Sequence, residues 1–485
     1  MTVPLPIGGN GKPVDVTRAD NTYSTVTLAP SQPLGEDVDA LVTRLSGAVT
    51  SQRHQLQTLD AYYQGTASTT DLGISVPPVL RQLKVALGWP RVCVDAVEER
   101  LDIEGFRFPD ASDTDAALWE MWQANDMEHG AHLVHLDALV FGRGFVAVGT
   151  GDGDYPLISV ESPLDFAADW DARTRTIRAA LRLMGSDRDR QATLYLPNAT
   201  LYLTQGSGSW RVDDIDDHRL GRVPVVRVAN RPRSFEHAGT SEITPEIMSI
   251  TDEATRTLKS LATAREFYSG PQRYILGAQE SDFVGPDGQP KTTWETYLGR
   301  VLAIERDPNG DIPTVGQFAA YDPAVFTRVI DMYARIISSI TGLPPHVLGY
   351  TSDNPASADA IRSSETRLKL KADRKTRLFG DPWCDVMRLA LLIRDGQERP
   401  DARLLTPVWA DTATPTPAAT TDSIAKQIAA GSIPATSDVT LARLGYSAIE
   451  RARLAQDRAA VEGDAMMRDI ASALVGKPQD VVAGQ

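Results

Sequence analysis

Apolar residues recur at helical spacing from residue 38 onward. Val38, Leu41, Val42, Leu45, Val49, Leu56, Leu59 and Tyr63 fall on one face of a 3.6-residue period, and Gly65 follows them. The pattern predicts a long amphipathic helix with a single buried stripe. Pro90 predicts the first turn of a second helix, with Val92, Ala96, Val97 and Leu101 inward. Asp113 is the expected N-cap of a third, which buries Leu118, Met121 and Trp122, and a fourth runs through Leu133, Leu136 and Val140 to Gly142-Arg143-Gly144. From Phe145 to Ala229 the period changes to two. Strand-type runs at Phe145–Val148, Leu157–Val160, Ile177–Met184, Thr193–Leu196, Leu201–Thr204 and Val225–Val228 are separated by turn clusters such as Pro197-Asn198 and Gly206-Ser207-Gly208. Helices followed by strands predict an α+β fold, not alternating βαβ units.

The helical period returns at Thr244-Pro245. Ile243, Ile247, Ile250, Ala254, Leu258 and Leu261 step in threes and fours as far as Tyr268. A polar, Gly/Pro-rich insert follows, Ser269 to Ala320, with strand-like pieces at Arg273–Leu276 and Val301–Ile304. Asp322-Pro323 restarts a helix with Phe326, Val329, Ile330, Tyr333, Ile336, Ile337 and Ile340 on its stripe, ending at Gly342. Residues 343–355 are dense in helix breakers. A long helix is then expected from Ala356 to Ile393, kinked at Gly380-Asp381-Pro382. Thr412 to Thr421 reads as a linker, and the remaining C-terminal segment as helical, with a capping box from Ser447 to Glu450. Residues 1–35, rich in Gly, Pro, Thr and Ser, read as a flexible arm.

Composition narrows the classes. The 485 residues are enough for two or three domains, and 42% hydrophobic with 23% charged is ordinary for a soluble globular protein. No apolar stretch reaches the roughly 20 residues of a membrane span, and a secretory leader is not expected. Cys93 and Cys384 sit in apolar helical contexts and read as reduced core residues. A net charge of −15 opposes any general grip on nucleic acid, since cations must replace phosphate counterions.

The search for chemistry returns little. Gly8-Gly9-Asn10-Gly11-Lys12 lacks the first glycine of a phosphate loop, which is Pro6, and has Pro13 where a Ser or Thr would hold magnesium. His129, His132 and His135 step by three along one helix, but no Cys or second His cluster completes a metal shell, so they read as packed histidines. Asp152 and Asp154 lack the spacing of a calcium loop, and Asp213, Asp214, Asp216 and Asp217 read as a solvated turn. There is no Gly-x-Ser-x-Gly or His-Glu-x-x-His. The pattern favours a structural role, with no enzyme activity, cofactor or metal expected. One segment departs from the acidic whole: Arg362, Arg367, Lys369, Lys371, Arg374, Lys375 and Arg377, opposed only by Glu365 and Asp373. It is either an exposed or intersubunit salt-bridged helix or a phosphate-facing belt, and basic positions on several sides of the helix favour intersubunit pairing.

Several stretches carry a family resemblance. Tyr62-Tyr63-Gln64-Gly65, Gly88-Trp89-Pro90-Arg91-Val92 with Gly105-Phe106, and Leu139 to Phe145 are three. Asn354 to Ile361, Phe379-Gly380-Asp381-Pro382-Trp383 and Val408-Trp409-Ala410-Asp411 are the others. Together, over roughly residues 36–465, they resemble portal proteins of long-tailed phages, especially those of actinobacterial hosts. The resemblance implies a wing at 36–240, stem helices at 241–268 and 322–342, and a clip at 269–321 that includes Val284, Asp287 and Lys291. It further implies a tunnel loop at 343–355 with Pro344, His346, Tyr350, Asp353 and Asn354, a long helix and wing return at 356–410, and a helical crown at 411–485. Rings, typically of twelve, would dock a terminase motor, head–tail adaptors, capsid and scaffold proteins. Double-stranded DNA would pass without sequence-specific binding, centred by an acidic wall of about −180 formal charge for twelve copies. The expected location is the portal vertex of the virion, after assembly in the host cytoplasm. A metal-dependent hydrolase using the aspartates, or another head–tail or capsid structural protein, remain the alternatives.

Overall fold

The computed structural model describes residues 36–68, 85–111, 113–151, 153–185, 189–206, 209–268, 273–276, 314–317, 322–349, 358–413, 417–446 and 448–475. The N-terminal arm, Val301–Ile304 and Ser447 lie outside them. The chain divides into two compact units, one running to Thr412 and the other beginning at Ala413.

The first unit is mixed helix and sheet, arranged in layers. Helix α1 (Glu36–Gln64) lays Val38, Leu41, Val42, Leu45 and Val49 on one face of a five-stranded antiparallel sheet, in contact with Leu181, Leu194, Leu201 and Val212. That sheet runs β4 (Phe166–Asp171), β5 (Thr176–Met184), β6 (Gln191–Tyr195), β7 (Thr200–Gly206), β8 (Ser209–Asp216) in spatial order. Its other face meets a three-stranded sheet in which β2 (Arg143–Gly149) lies between β3 (Leu157–Glu161) and β9 (Val225–Ala229). The period-two rule decides what each β2 residue touches: Phe145 and Ala147 pack towards Phe166 and Tyr195, while Val146 and Val148 face the helical core.

That core is built by α2 (Trp89–Glu98), α3 (Ala116–Ala124), α4 (Met127–Phe141) and the long helix α7 (Ala358–Asp395). Trp122 and Trp383 meet edge to face with ring centroids 5.1 Å apart, and Phe106 meets Trp122 at 5.2 Å. Both cysteines are free and buried there. Helix α7 continues through Pro382 without interruption. Beyond it, β12 (Thr406–Trp409) pairs antiparallel with β1 (Ile103–Arg107), returning the chain to the helical layer.

Several details differ from the sequence expectations. The N-cap of α3 is Asp115, whose Oδ1 accepts from the Leu118 backbone N–H at 2.9 Å, and not Asp113, two residues too early. Asp213, Asp214 and Asp216 lie on strand β8, not in a turn. Buried Trp210 and Val212 alternate there with exposed Arg211 and Asp213, and an edge strand tolerates such charges because its outer side faces water. Strands β4 and β8 carry several acids, which hid their period.

In the second unit, α8 (Pro417–Ala429), α9 (Asp438–Arg443) and α10 (Ala448–Val475) follow one another. Ser437 caps α9, its Oγ accepting from the Thr440 N–H at 3.1 Å.

Candidate functional site

Two of the cations singled out in the sequence, Lys371 and Lys375, lie where α4, β9, α7 and the helix that begins at Pro245 meet. Gly142 ends α4 with φ +89°, and a Cβ there would lie 2.9 Å from the Thr240 backbone carbon. Glycine is therefore required for the loop after β9 to pass so closely. Ser241 donates through Oγ to the Val140 carbonyl at 2.6 Å, and the Glu242 N–H donates to the Leu139 carbonyl at 2.8 Å. These bonds use carbonyls that the end of α4 leaves without helical partners.

Glu242 is then carried into the interior, 3% exposed. Lys375 Nζ lies 2.6 Å from Oε1 and Lys371 Nζ 2.8 Å from Oε2, with Arg231 at 3.7 Å. Asn230 completes the node: its Nδ2 donates to the Thr240 carbonyl at 2.8 Å and to Glu242 at 3.2 Å, and its Oδ1 accepts from Lys375. Burial alone would raise the Glu242 carboxyl, but the two lysines outweigh it and hold it down at about 2.

This node settles where much of the basic segment points. Lys371 and Lys375 turn inward onto Glu242. Lys369 donates to Asp373 at 3.1 Å and lies 3.7 Å from Asp411, while Asp373 also accepts from Thr412. Arg367 donates to the Ser339 carbonyl at 3.1 Å, and Gly342 leaves the space its side chain fills. Arg374 and Arg377 are exposed. Arg362 lies in the first turns of α7.

A further helix begins three residues beyond Glu242. Helix α5 (Pro245–Tyr268) packs against α6 (Ala324–Thr341), and the chain between them contributes an antiparallel pair, β10 (Arg273–Leu276) with β11 (Thr314–Gln317). Ala334 and Ile337 of α6 are buried, but Val325, Met332, Ile336 and Ile340 are 39–54% exposed. After α6, Pro344 is buried and Pro345–Leu348 form a 3-10 turn, where His346 Nε2 lies 3.7 Å from Glu365. Tyr350, Asp353, Asn354, Val284, Asp287 and Lys291 lie outside the described residues.

Among the described residues one group places three ligand-type atoms within 4.8 Å of one another: Glu98, His132 and His135. Its chemistry is better explained without an ion. Trp383 Nε1 donates to His135 Nε2 at 2.8 Å, so the neutral ring carries its proton on Nδ1 and has no lone pair left for a metal while that bond stands. Burial, then the nearby His132, lowers His135 to about 3, which keeps it neutral. His132 faces Glu98 at 2.6 Å, and this hydrogen bond raises its pKa. His129 is exposed and does not join them.

What these residues build is a framework: a helical core clamped by buried ions to the root of the α5–α6 pair, with one side of α6 left apolar and open. Residues 44–443 match the family described as Phage portal protein, SPP1 Gp6-like. The chain belongs to that family, and its function is that of a phage portal protein, the head–tail connector. It is 37% identical over 439 residues to the portal protein of Mycobacterium phage D29, covering 87% of this chain and 89% of that one. It is 36% identical over 438 residues to that of Mycobacterium phage L5, with the same coverage. A solved chain from the neck of an empty GTA particle computed with C6 symmetry overlays with TM-score 0.42 and 13% identity, covering 84% of this chain and 99% of that one. The family is structural, not enzymatic, which disfavours the hydrolase alternative, and its members are virion components. No helix among the described residues is long and apolar enough to cross a membrane.

Proposed function

We propose that copies of this chain form a closed ring, of twelve in the virion, whose channel passes double-stranded DNA during packaging and ejection. Residues 36–240 and 356–410 act as the wing, α5 and α6 as the stem, 269–321 as the clip that docks the terminase motor and later the head–tail adaptors. Residues 343–355 act as the tunnel loop, and the segment from 411 as the crown, with the capsid and scaffold around the ring. The chain itself performs no ATP hydrolysis or DNA cleavage.

One observation carries this reading beyond family membership. Val325, Met332, Ile336 and Ile340 step by seven, four and four along α6, so they share one side of that helix, and that side is open in the isolated subunit. A helix with an uncovered apolar side is completed by a neighbouring copy. Negative-stain microscopy with light scattering tests it. Rings with a central hole are the expected result, and monomer at every concentration and ionic strength would overturn it.

A further inference from the structure

The inward lysines leave a simpler surface on α7 than its composition implies. Arg367, Leu370, Arg374 and Arg377 are spaced by three, four and three, and all four are exposed. They form one stripe along the first half of the helix. Leu370, at its centre, is 54% exposed. Arg374 and Arg377 make no ion pair within 4.0 Å among the described residues. Arg377 is near enough to Asp373 to favour that carboxylate's charged form, but Lys369 holds Asp373 directly. The Arg367 bond to Ser339 sets this stripe beside the end of α6 that bears Ile336 and Ile340.

A complementary surface lies elsewhere on the same chain. Residues 98–128 contain ten acidic side chains against Arg100 and Arg107 alone. Some are used locally: Glu98 on His132, Asp115 as the α3 cap, Glu120 on Tyr155. Glu99, Glu104, Asp110 and Asp126 are exposed with no cation within 4.0 Å among the described residues. Strand β1, which carries Glu104, runs beside the middle of α7, Phe106 pairing with Pro407 next to Gly380. The 110–128 part of the flank lies apart from the stripe: Asp115 acts on Arg394 and Arg399, at and beyond the far end of α7. Arg377 is seventeen residues before Arg394, roughly 25 Å along a helix.

We propose that the Arg367–Leu370–Arg374–Arg377 stripe docks on the acidic 110–128 part of that flank in a second copy of this chain, an inference that rests on the ring reading above. A closed ring needs a heterologous contact, with a different surface on each side of every subunit, and these two are opposite in charge. The stripe's composition favours a protein partner over DNA. Protein interfaces enrich arginine and bury an apolar centre, while lysine is depleted there. Here Lys371 and Lys375 are turned inward, Lys369 is held by Asp373, and the exposed cations of the stripe are arginines around a leucine. A phosphate-facing belt has no use for the leucine.

A charge swap tests the contact, with assembly read by light scattering. Arg374→Glu with Arg377→Glu places like charges across the joint and should raise the concentration for half-assembly by about a hundred-fold. Adding Asp110→Lys and Asp126→Lys in the same chain should restore rings, a rescue that a misfolded chain could not give. Rings of the first variant as stable as the parent's overturn the contact. If those rings also bind a short DNA duplex more weakly than the parent's, the stripe faces DNA instead. A parent chain that never forms rings overturns the ring reading itself, and that outcome is distinguishable because it appears before any substitution is made.

Discussion

The regions proposed as wing and stem are both helical where they join, yet they treat apolar surface in opposite ways. In the wing, Trp122, Trp383, Phe106 and Phe379 are each below 2% exposed, packed by rings from three different helices and a strand. In the stem, α6 buries Ala334 and Ile337 but leaves Val325, Met332, Ile336 and Ile340 open. The proposed wing buries its large rings within one subunit, whereas α6 leaves apolar side chains that the proposed ring would cover. The Glu242 node sits at the boundary, so the α5–α6 pair is held at its root by ions while that side stays open.

The strongest blow to that contrast falls in the wing. Trp383→Ala removes a fully buried indole and leaves His135 Nε2 without its donor. A cost of about 3–5 kcal/mol is expected for the cavity alone. Thermal melting should show a large drop or loss of soluble protein. A variant that melts near the parent would mean the wing is not self-contained.

Next comes the root. Glu242→Ala leaves Lys371 and Lys375 turned into the interior without their counter-ion, which should cost about 3 kcal/mol or more. The pH dependence has a definite sign. Because the folded carboxyl is held at about 2, below its ordinary 4.5, the node's contribution is present above pH 4.5 and is lost as pH falls towards 2. Urea titrations of parent and Glu242→Ala at pH 7 and pH 3 should therefore differ widely at the first and converge towards the second. Equal differences at both would remove the charged node from the account of the joint.

How much of this was legible beforehand follows from range along the chain. The stripes of α1, α5 and α6 repeat every turn, so local spacing revealed them, and Gly142 and Gly342 marked their helices' ends. The cations of α7 were visible as a cluster, but their directions were not. Lys375 meets Glu242 across 133 positions of sequence, and no local pattern announces that partner. The same limit hid β1, which pairs with a strand about three hundred residues later. Strands β4 and β8 were lost for another reason: aspartates on edge strands look like turn residues when the sheet beside them is not yet known. His135 offered one usable signal, a histidine among apolar positions of a predicted helix, which favours burial over ligation. Its Trp383 donor could not be read.

The smallest effect on the subunit is expected where the stem is open. Ile336→Asp with Ile340→Asp changes two side chains that are 39% and 43% exposed, so each removes little buried surface. The isolated subunit should lose less than about 1 kcal/mol, the usual range for exposed positions. Assembly should respond quite differently. If a neighbouring copy covers this side of α6, each copy would bury two carboxylates without partners at every joint, a cost multiplied around the ring. Melting curves of the monomer and light scattering of the assembled protein therefore separate the two regions: the first should barely move while rings disappear. Intact rings would place the neighbour elsewhere on the stem, and a large fall in monomer melting temperature would mean that Ile336 and Ile340 belong to the subunit's own core.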